Sequence, residues 1–435
     1  MKHSKKIGLL ITFLLTSVYG YGEENYNNLT YIDSSFGVYN LSNAQIRFTQ
    51  VSDEDTGKWE NGYAPSKRLE TNQIDSSGKF SSSIRLKAGP IKNLATFNYY
   101  LYSGSYGANS PITVSNTYKT SNFDLMPNTF AIPFDLLKFH YLQNNQLIFI
   151  NHWDSDNWMA SLQDEIYISE LAIPGTHDTS TWKIYSSSAQ TQYAKDDFTK
   201  QLKDGIRFFD IRVHVNANGD GWDLYHGPIS LSATFDDLMT QVKPWMESHP
   251  KETLVMSIKN DGNDDNRMAS IFDKYYNQYG KDALWYTDTS IPKLKDVRGK
   301  IVLAVRYPGS SKGWNLVGWP DNQTFTSTNG KFTFNVQDQW NPTSALDKSN
   351  AALDFMNKHK DDSGASTLNI NFLSSSTFYC SWMPKVCAIA TYDAFYKGYT
   401  TDLNKYSPQG IVALDFYDEA MVLSIIARNN KNLKP

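Results

Sequence analysis

Four separated stretches carry side chains able to do chemistry. His177 and Asp178 end the run Ile173-Pro174-Gly175-Thr176-His177-Asp178, Asp210 and Arg212 lie in Phe209-Asp210-Ile211-Arg212, His226 precedes Gly227-Pro228, and Asp415 follows Ile411-Val412-Ala413-Leu414. Each sits where an apolar run meets a Gly, a Pro or a carboxylate, the pattern of a buried strand reaching its end. Strand ends are where α/β folds build active sites. Alternate residues of a strand share a face, so Asp210 and Arg212 point the same way, and Arg212 offers a planar, permanently charged fork to a phosphate. Two histidines, an arginine and carboxylates, without a serine elbow or a nearby cysteine, point to acid–base cleavage of a phosphodiester rather than acyl transfer. One histidine takes a proton from an attacking hydroxyl and the other protonates the leaving oxygen, each transfer worth about 10²–10⁴-fold. Any one of these residues alone is as readily a satisfied structural polar group. Their recurrence at successive strand ends favours the catalytic reading.

The elements that must position them follow from the hydrophobic rhythm. From residue 153 to 435, apolar strands are expected over 170–173, 207–213, 253–259, 301–306, 367–372 and 410–416, alternating with helical patterns over 234–248, 266–279, 344–358 and 392–405. Such alternation fits a (β/α) barrel, usually about 250 residues long, with a doubly wound open sheet as the alternative. There is no Gly-rich dinucleotide fingerprint, and Tyr307-Pro308-Gly309-Ser310-Ser311 is too weak a phosphate cradle by itself. Residues 21–152 read differently: short alternating runs at 44–51, 80–86, 95–102 and 111–118 are separated by Gly, Ser, Asn and Asp. The expected class is thus α/β, a (β/α) TIM-type barrel with an N-terminal all-β, sandwich-like accessory domain that carries no chemical motif. The tyrosines of Asn98-Tyr99-Tyr100-Leu101-Tyr102 suit a glycan or lipid surface as well as a core.

At the N-terminus, Lys2, Lys5 and Lys6 precede a short apolar run from Ile7 to Tyr19 with Gly20 and Gly22 beyond, the layout of a signal peptide over 1–20. Export is expected, so the protein should be secreted. A chain of 435 residues at net charge −4 has no basic footprint, which makes nucleic acid an unsuitable partner. Cys380 and Cys387, the two cysteines, can close a small loop in an oxidising compartment, whereas a cytosolic pair would stay free. The same segment, 376–389, brings Phe378, Tyr379, Trp382 and Met383 together after a barrel strand, a membrane-facing loop if it is exposed.

From about Leu162 onward the chain resembles the bacterial, metal-independent phosphatidylinositol-specific phospholipases C, with their irregular barrel. The resemblance rests on Ile173 to Asp178, Phe209 to Arg212, His226-Gly227-Pro228, Glu252 to Lys259, Arg298 to Leu303 with Arg306-Tyr307, Trp319 to Asn322, Val336-Gln337-Asp338 and Ile370-Asn371-Phe372. It implies that His177 is the general base on the inositol 2-hydroxyl with Asp415 holding its tautomer, and that His226 is the general acid, oriented by Asp178. Neighbours such as His177 and Asp178 seldom pair across a turn. Arg212 would grip the phosphate, braced by Asp210, where calcium-dependent relatives carry acidic metal ligands, so no metal and no cofactor is implied.

Lys259, Arg306 and Asp338 match positions that bind the inositol hydroxyls. Trp340 stands where the family has a tyrosine, and Asn260-Asp261 replaces a longer basic and acidic pair. The implied partner is a membrane surface containing phosphatidylinositol, with glycosyl-phosphatidylinositol-anchored proteins as a further class, and a monomer is expected. Two alternatives stand beside this reading: a metal-dependent glycerophosphodiester or sphingolipid phosphodiesterase, which a chelator would silence, and a noncatalytic membrane- or glycan-binding barrel.

Overall fold

A computed structural model describes residues 154–434 except 185–187, 263–265 and 400–409; side chains of 393, 396–398, 419, 420 and 430 are not described, and of residues 32–151 only the strand backbone is. The expected signal peptide lies outside the described residues. In the N-terminal region the strands are β1 (Ile32–Asn40), β2 (Ile46–Glu54), β3 (Gln73–Ile74), β4 (Lys79–Leu86), β5 (Leu94–Ser103), β6 (Ile112–Lys119), β7 (Leu125–Asn128), β8 (Lys138–Leu142) and β9 (Leu147–Asn151). They form two sheets, in the orders β4-β1-β9-β8 and β3-β2-β5-β6-β7. The four alternating runs fall on β2, β4, β5 and β6. How the sheets would pack as a sandwich-like accessory domain depends on side chains outside the described residues.

The second region alternates strands and helices. Its strands are β10 (Ala172–Thr176), β11 (Phe208–Val215), β12 (Trp222–His226), β13 (Ile229–Thr234), β14 (Leu254–Asn260), β15 (Trp285–Tyr286), β16 (Ile301–Arg306), β17 (Trp314–Asn315), β18 (Thr324–Thr328), β19 (Thr333–Gln337), β20 (Thr367–Phe372) and β21 (Gly410–Leu414). The helices are α1 (Phe198–Lys203), α2 (Phe235–Ser248), α3 (Met268–Gln278), α4 (Leu294–Val297), α5 (Ala345–Lys358), α6 (Pro384–Tyr399) and α7 (Glu419–Ile426). Thr234 and Ser344 cap α2 and α5, each accepting from a backbone N–H three residues on. This cap satisfies an otherwise orphan donor and fixes where the helix starts.

One sheet runs β15-β16-β14-β11-β10-β21-β20-β19-β18, and every ladder from β16 through β19 is parallel. β10 and β21 are buried at every residue, as strands covered on both faces must be. Among the described residues no ladder joins β17 to β18, so the curled sheet is an incomplete barrel. Aromatic packing spans that gap, with Trp314 edge-on to Phe332 at 5.6 Å. Two glycines are sterically required. A Cβ on Gly175 would lie 2.7 Å from the Phe208 side chain, and one on Gly410, at φ +69, would lie 2.2 Å from the carbonyl oxygen of Asn369. Two expectations are corrected: the helix expected over 392–405 is α6 and begins at Pro384, and β19 was not among the expected strands.

Arg207 and Glu252, both fully buried, pin the N-terminal end of the sheet. Arg207 Nε donates to Glu252 Oε2 at 2.8 Å, its Nη1 to the carbonyls of Leu202 and Ile206, and its Nη2 to that of Asp156 at 2.8 Å. The guanidinium also stacks 4.4 Å over Trp245, and Glu252 Oε1 accepts from the Ala160 N–H. Breaking such a pair leaves a buried charge uncompensated. Glu252→Ala is expected to cost about 3–5 kcal/mol, read as a fall in the denaturant midpoint with the slope unchanged.

Candidate active site

Register lines up the first groups. Arg212, Lys259 and Arg306 are direct partners across β11, β14 and β16, which puts three cations in one row at the strand ends. Uncompensated, that row would repel itself, and three carboxylates answer it. Asp210, fully buried two residues before Arg212, accepts from Arg212 Nη2 at 3.2 Å and from Arg306 Nη1 at 3.4 Å. Asp261 lies 2.5 Å from Lys259 Nζ and 3.6 Å from Arg212 Nη1, and accepts from the Gly227 N–H at 2.9 Å. Asp178 Oδ1 lies 2.5 Å from Arg212 Nε. Burial alone would push up the pKa of Asp210 and Asp261, but Arg212 with Arg306 or Lys259 holds both below the ordinary carboxylate range.

The histidines sit on either side of Asp178. His177 Nδ1 donates to Asp415 Oδ1 at 2.7 Å, while its Nε2 lies 2.9 Å from Arg212 Nη2 and 3.2 Å from Asp178 Oδ2. The same Oδ2 is 3.2 Å from Nε2 of His226, so one carboxylate oxygen serves both rings. The expectation that neighbours would not pair is thus corrected. Asp178 adopts φ +43, a left-handed conformation that turns its side chain back over His177. Burial opposes a charge on His177, yet Asp178 and Asp415 outweigh it and raise its pKa to about 9. Burial pushes the pKa of Asp415 upward.

These groups line a cavity of about 460 Å³ that also takes in Lys259, Arg306, Asp338 and Trp340. Arg306 stacks 3.9 Å over Trp319, whose Nε1–H donates to Asp338 Oδ2 at 3.0 Å. The Nε1–H of Trp340 donates to Asp321 Oδ1 at 3.0 Å. His177, Asp178 and Asp210 bring ligand atoms within 4.8 Å of one another, a set able to hold a metal ion. The Arg212 guanidinium contacts those same three residues.

Beside the mouth, Cys380 and Cys387 form a disulfide. The segment 376–389 is not one loop, since a short 3-10 turn spans Phe378–Cys380 and α6 starts at Pro384, a lining residue of the cavity. Phe378 is 84% exposed and Trp382 48%, while Tyr379 and Met383 are half-buried. Val386 and Ile389 extend the exposed apolar face along α6. Among the described residues no helix is long and apolar enough to cross a membrane.

Residues 171–307 match the family model described as phosphatidylinositol-specific phospholipase C, X domain. The chain is 33% identical over 237 residues to the 1-phosphatidylinositol phosphodiesterase of Staphylococcus aureus strain Newman, covering 50% of this chain and 75% of that protein. It belongs to the bacterial phosphatidylinositol-specific phospholipase C family. The protein of the same name from Listeria monocytogenes is 34% identical over 172 residues, or 35% of this chain and 52% of that one. Solved structures agree. A phosphatidylinositol-specific phospholipase C from Staphylococcus aureus superposes with TM-score 0.57 at 28% identity, over 63% of this chain and 97% of that one, and the Listeria monocytogenes enzyme with TM-score 0.53 at 27%, over 63% and 99%. The chain is therefore an enzyme of phospholipase C type.

Several parts of this phospholipase C site were not singled out from sequence. Asp261 was named only as a departure from the family pattern, without a role, although it lies two residues beyond Lys259 along the same strand direction. Gln192 had none: from a polar stretch, its amide donates to the carbonyls of His177 and Leu414 at 2.8 and 2.9 Å. Lys348 is fully buried on α5 and donates to Gln337 Oε1 and the Gln339 carbonyl on either side of Asp338. Burial pulls its pKa down to about 8.

The raised His177 pKa has a sign that can be checked. The fold binds this proton more tightly than an unfolded chain does, so its contribution to stability is full below about 6.5 and lost as pH rises through about 9. Nitrogen NMR of the His177 ring is expected to titrate far above 6.5, and to move down in Asp178→Asn, which removes one of the two carboxylates that raise it.

Proposed function

We propose that this protein is a secreted, metal-independent phosphodiesterase that cleaves phosphatidylinositol, with glycosyl-phosphatidylinositol anchors as a second substrate class. The observation that carries the reading is the pair of histidines on either side of Asp178 at one cavity, with Arg212 against His177. In the neutral form of His177, the minority at pH 7, Asp415 holds Nδ1–H and leaves Nε2 as the base. Nε2 takes the proton of the inositol 2-hydroxyl, whose oxygen attacks phosphorus. The bond from phosphorus to the glycerol oxygen breaks, and His226 protonates that oxygen. The products are diacylglycerol and a cyclic inositol phosphate. Arg212, at the cavity wall with Nη2 2.9 Å from the His177 Nε2 base, would meet the charge growing on the phosphate oxygens.

Metal independence is supported by the position of Arg212, whose permanent cation contacts the three residues best placed to bind a metal. That same cluster is what favours the metal-dependent reading. Phosphorus NMR of the protein acting on phosphatidylinositol micelles in excess chelator separates them. A cyclic phosphodiester signal is expected, reduced at least about 10²–10⁴-fold in His177→Ala, the worth of one positioned proton transfer. Activity that returns only with calcium would establish the metal-dependent class instead.

We propose that secretion follows from the signal peptide at 1–20, and that residues 21–152 form the sandwich-like accessory domain ahead of the catalytic barrel at 153–435. The membrane edge is assigned to Phe378 and Trp382 with Val386 and Ile389, beside Lys385, a set of exposed apolar side chains at the cavity mouth. A solved structure of the Staphylococcus aureus relative concerns modulation of its membrane binding. Burying one large apolar side chain is worth about 1.5–3 kcal/mol. Phe378→Ser and Trp382→Ser are each expected to weaken binding to phosphatidylinositol vesicles by about tenfold or more while turnover of a soluble inositol phosphate ester is unchanged.

A further inference from the structure

Across the parallel sheet, successive strand ends deliver one polar group after another into the cavity. Lys259 comes from β14, Arg212 from β11, His177 follows β10, Asp415 follows β21, and Asp338 follows β19. Between β21 and β19 lies β20, and no residue from it has been given a role. β20 ends at Phe372, and the Leu373 N–H is still tied to the Ala413 carbonyl at 2.8 Å, so the next side chain has a fixed starting point. That residue is Ser374.

Ser374 is 1% exposed, lines the cavity, and its Oγ has no hydrogen-bond partner. Its neighbours differ. Ser375 Oγ meets the Tyr379 hydroxyl at 3.2 Å, and the Ser376 N–H donates to the Trp340 carbonyl at 2.9 Å. A buried hydroxyl without a partner destabilises the folded state, because it gives up its bonds to water and regains none. At a cavity wall the missing partner is supplied by what fills the cavity.

We propose that Ser374 is a substrate-binding residue whose hydroxyl bonds an oxygen of the inositol phosphate headgroup, on the wall between Asp415 and Asp338. This assignment rests on the function proposed above. It makes β20 a contributor like its neighbours, and it makes the headgroup site ring-shaped, with cations on the β11–β16 side and neutral or acidic groups on the β21–β19 side.

The test is Ser374→Ala in the full chain, followed by thermal unfolding, by turnover of phosphatidylinositol, and by competitive inhibition with free myo-inositol. Removing an unpartnered hydroxyl is expected to leave Tm unchanged or raised, while kcat/KM falls roughly tenfold, about the worth of one hydrogen bond to a substrate oxygen. A parallel tenfold rise in the inositol inhibition constant assigns the bond to a ring hydroxyl, and an unchanged constant alongside the loss in kcat/KM assigns it to the phosphate. Unchanged kcat/KM, or a loss that follows a lowered Tm, overturns the proposal. Wild-type protein that leaves phosphatidylinositol intact would instead overturn the functional reading itself.

Discussion

The site depends on one guanidinium. Arg212 is fixed from three directions by Asp178, Asp210 and Asp261, and its Nη2 reaches the imidazole of His177. Cations and carboxylates buried this closely are stable only as a set, since removing one partner exposes the desolvation cost of the rest. Each carboxylate also has a second duty. Asp210 reaches Arg306, Asp261 reaches Lys259 and the Gly227 backbone beside His226, and Asp178 reaches both histidines. The charge balance around Arg212 is therefore tied to the placement of the two histidines.

That arrangement gives the cavity two unlike walls. One is a row of cations set by strand register, and it suits a phosphate. The other carries Asp338, Trp340 and the serines after β20, groups suited to a polyol with an apolar ring face. Arg306 joins the two walls, ion-paired to Asp210 on one side and stacked on Trp319, the donor to Asp338, on the other. The exposed Phe378 and Trp382 flank Cys380 in the disulfide-closed segment that lies between the cavity-lining serines and Pro384. A lipid headgroup reaching the cavity would pass this edge.

Much of this was legible in the chain. Runs of buried, β-branched residues ending at Gly, Pro or Asp marked β10 and β21 within a few residues, because a strand covered on both faces has to be apolar until it stops. The residues at those stops are the ones the fold brings together. His177, Asp178, Asp210, Arg212, His226 and Asp415 meet at one cavity, or brace those that do. The helical patterns expected over 234–248 and 344–358 match α2 and α5, whose starts are fixed locally by the Thr234 and Ser344 caps.

What only the tertiary structure decided is what depends on distant partners. Asp178 bends back to its own neighbour through a left-handed backbone that the sequence step His-Asp does not specify. β19 escaped notice because its five residues include Asn335 and Gln337, polar side chains made buriable by Asn369 and Asn371 on β20. The first two turns of α6, from Pro384, were not legible because exposed Val386 and Ile389 blur the helical period. Ser374 is unremarkable among three consecutive serines, and only its place between two strand ends leaves its hydroxyl buried without a partner. Sequence alone determined which residue types arrive at the strand ends; the strand order and register determined which of them face one another, since those contacts join residues up to 238 positions apart.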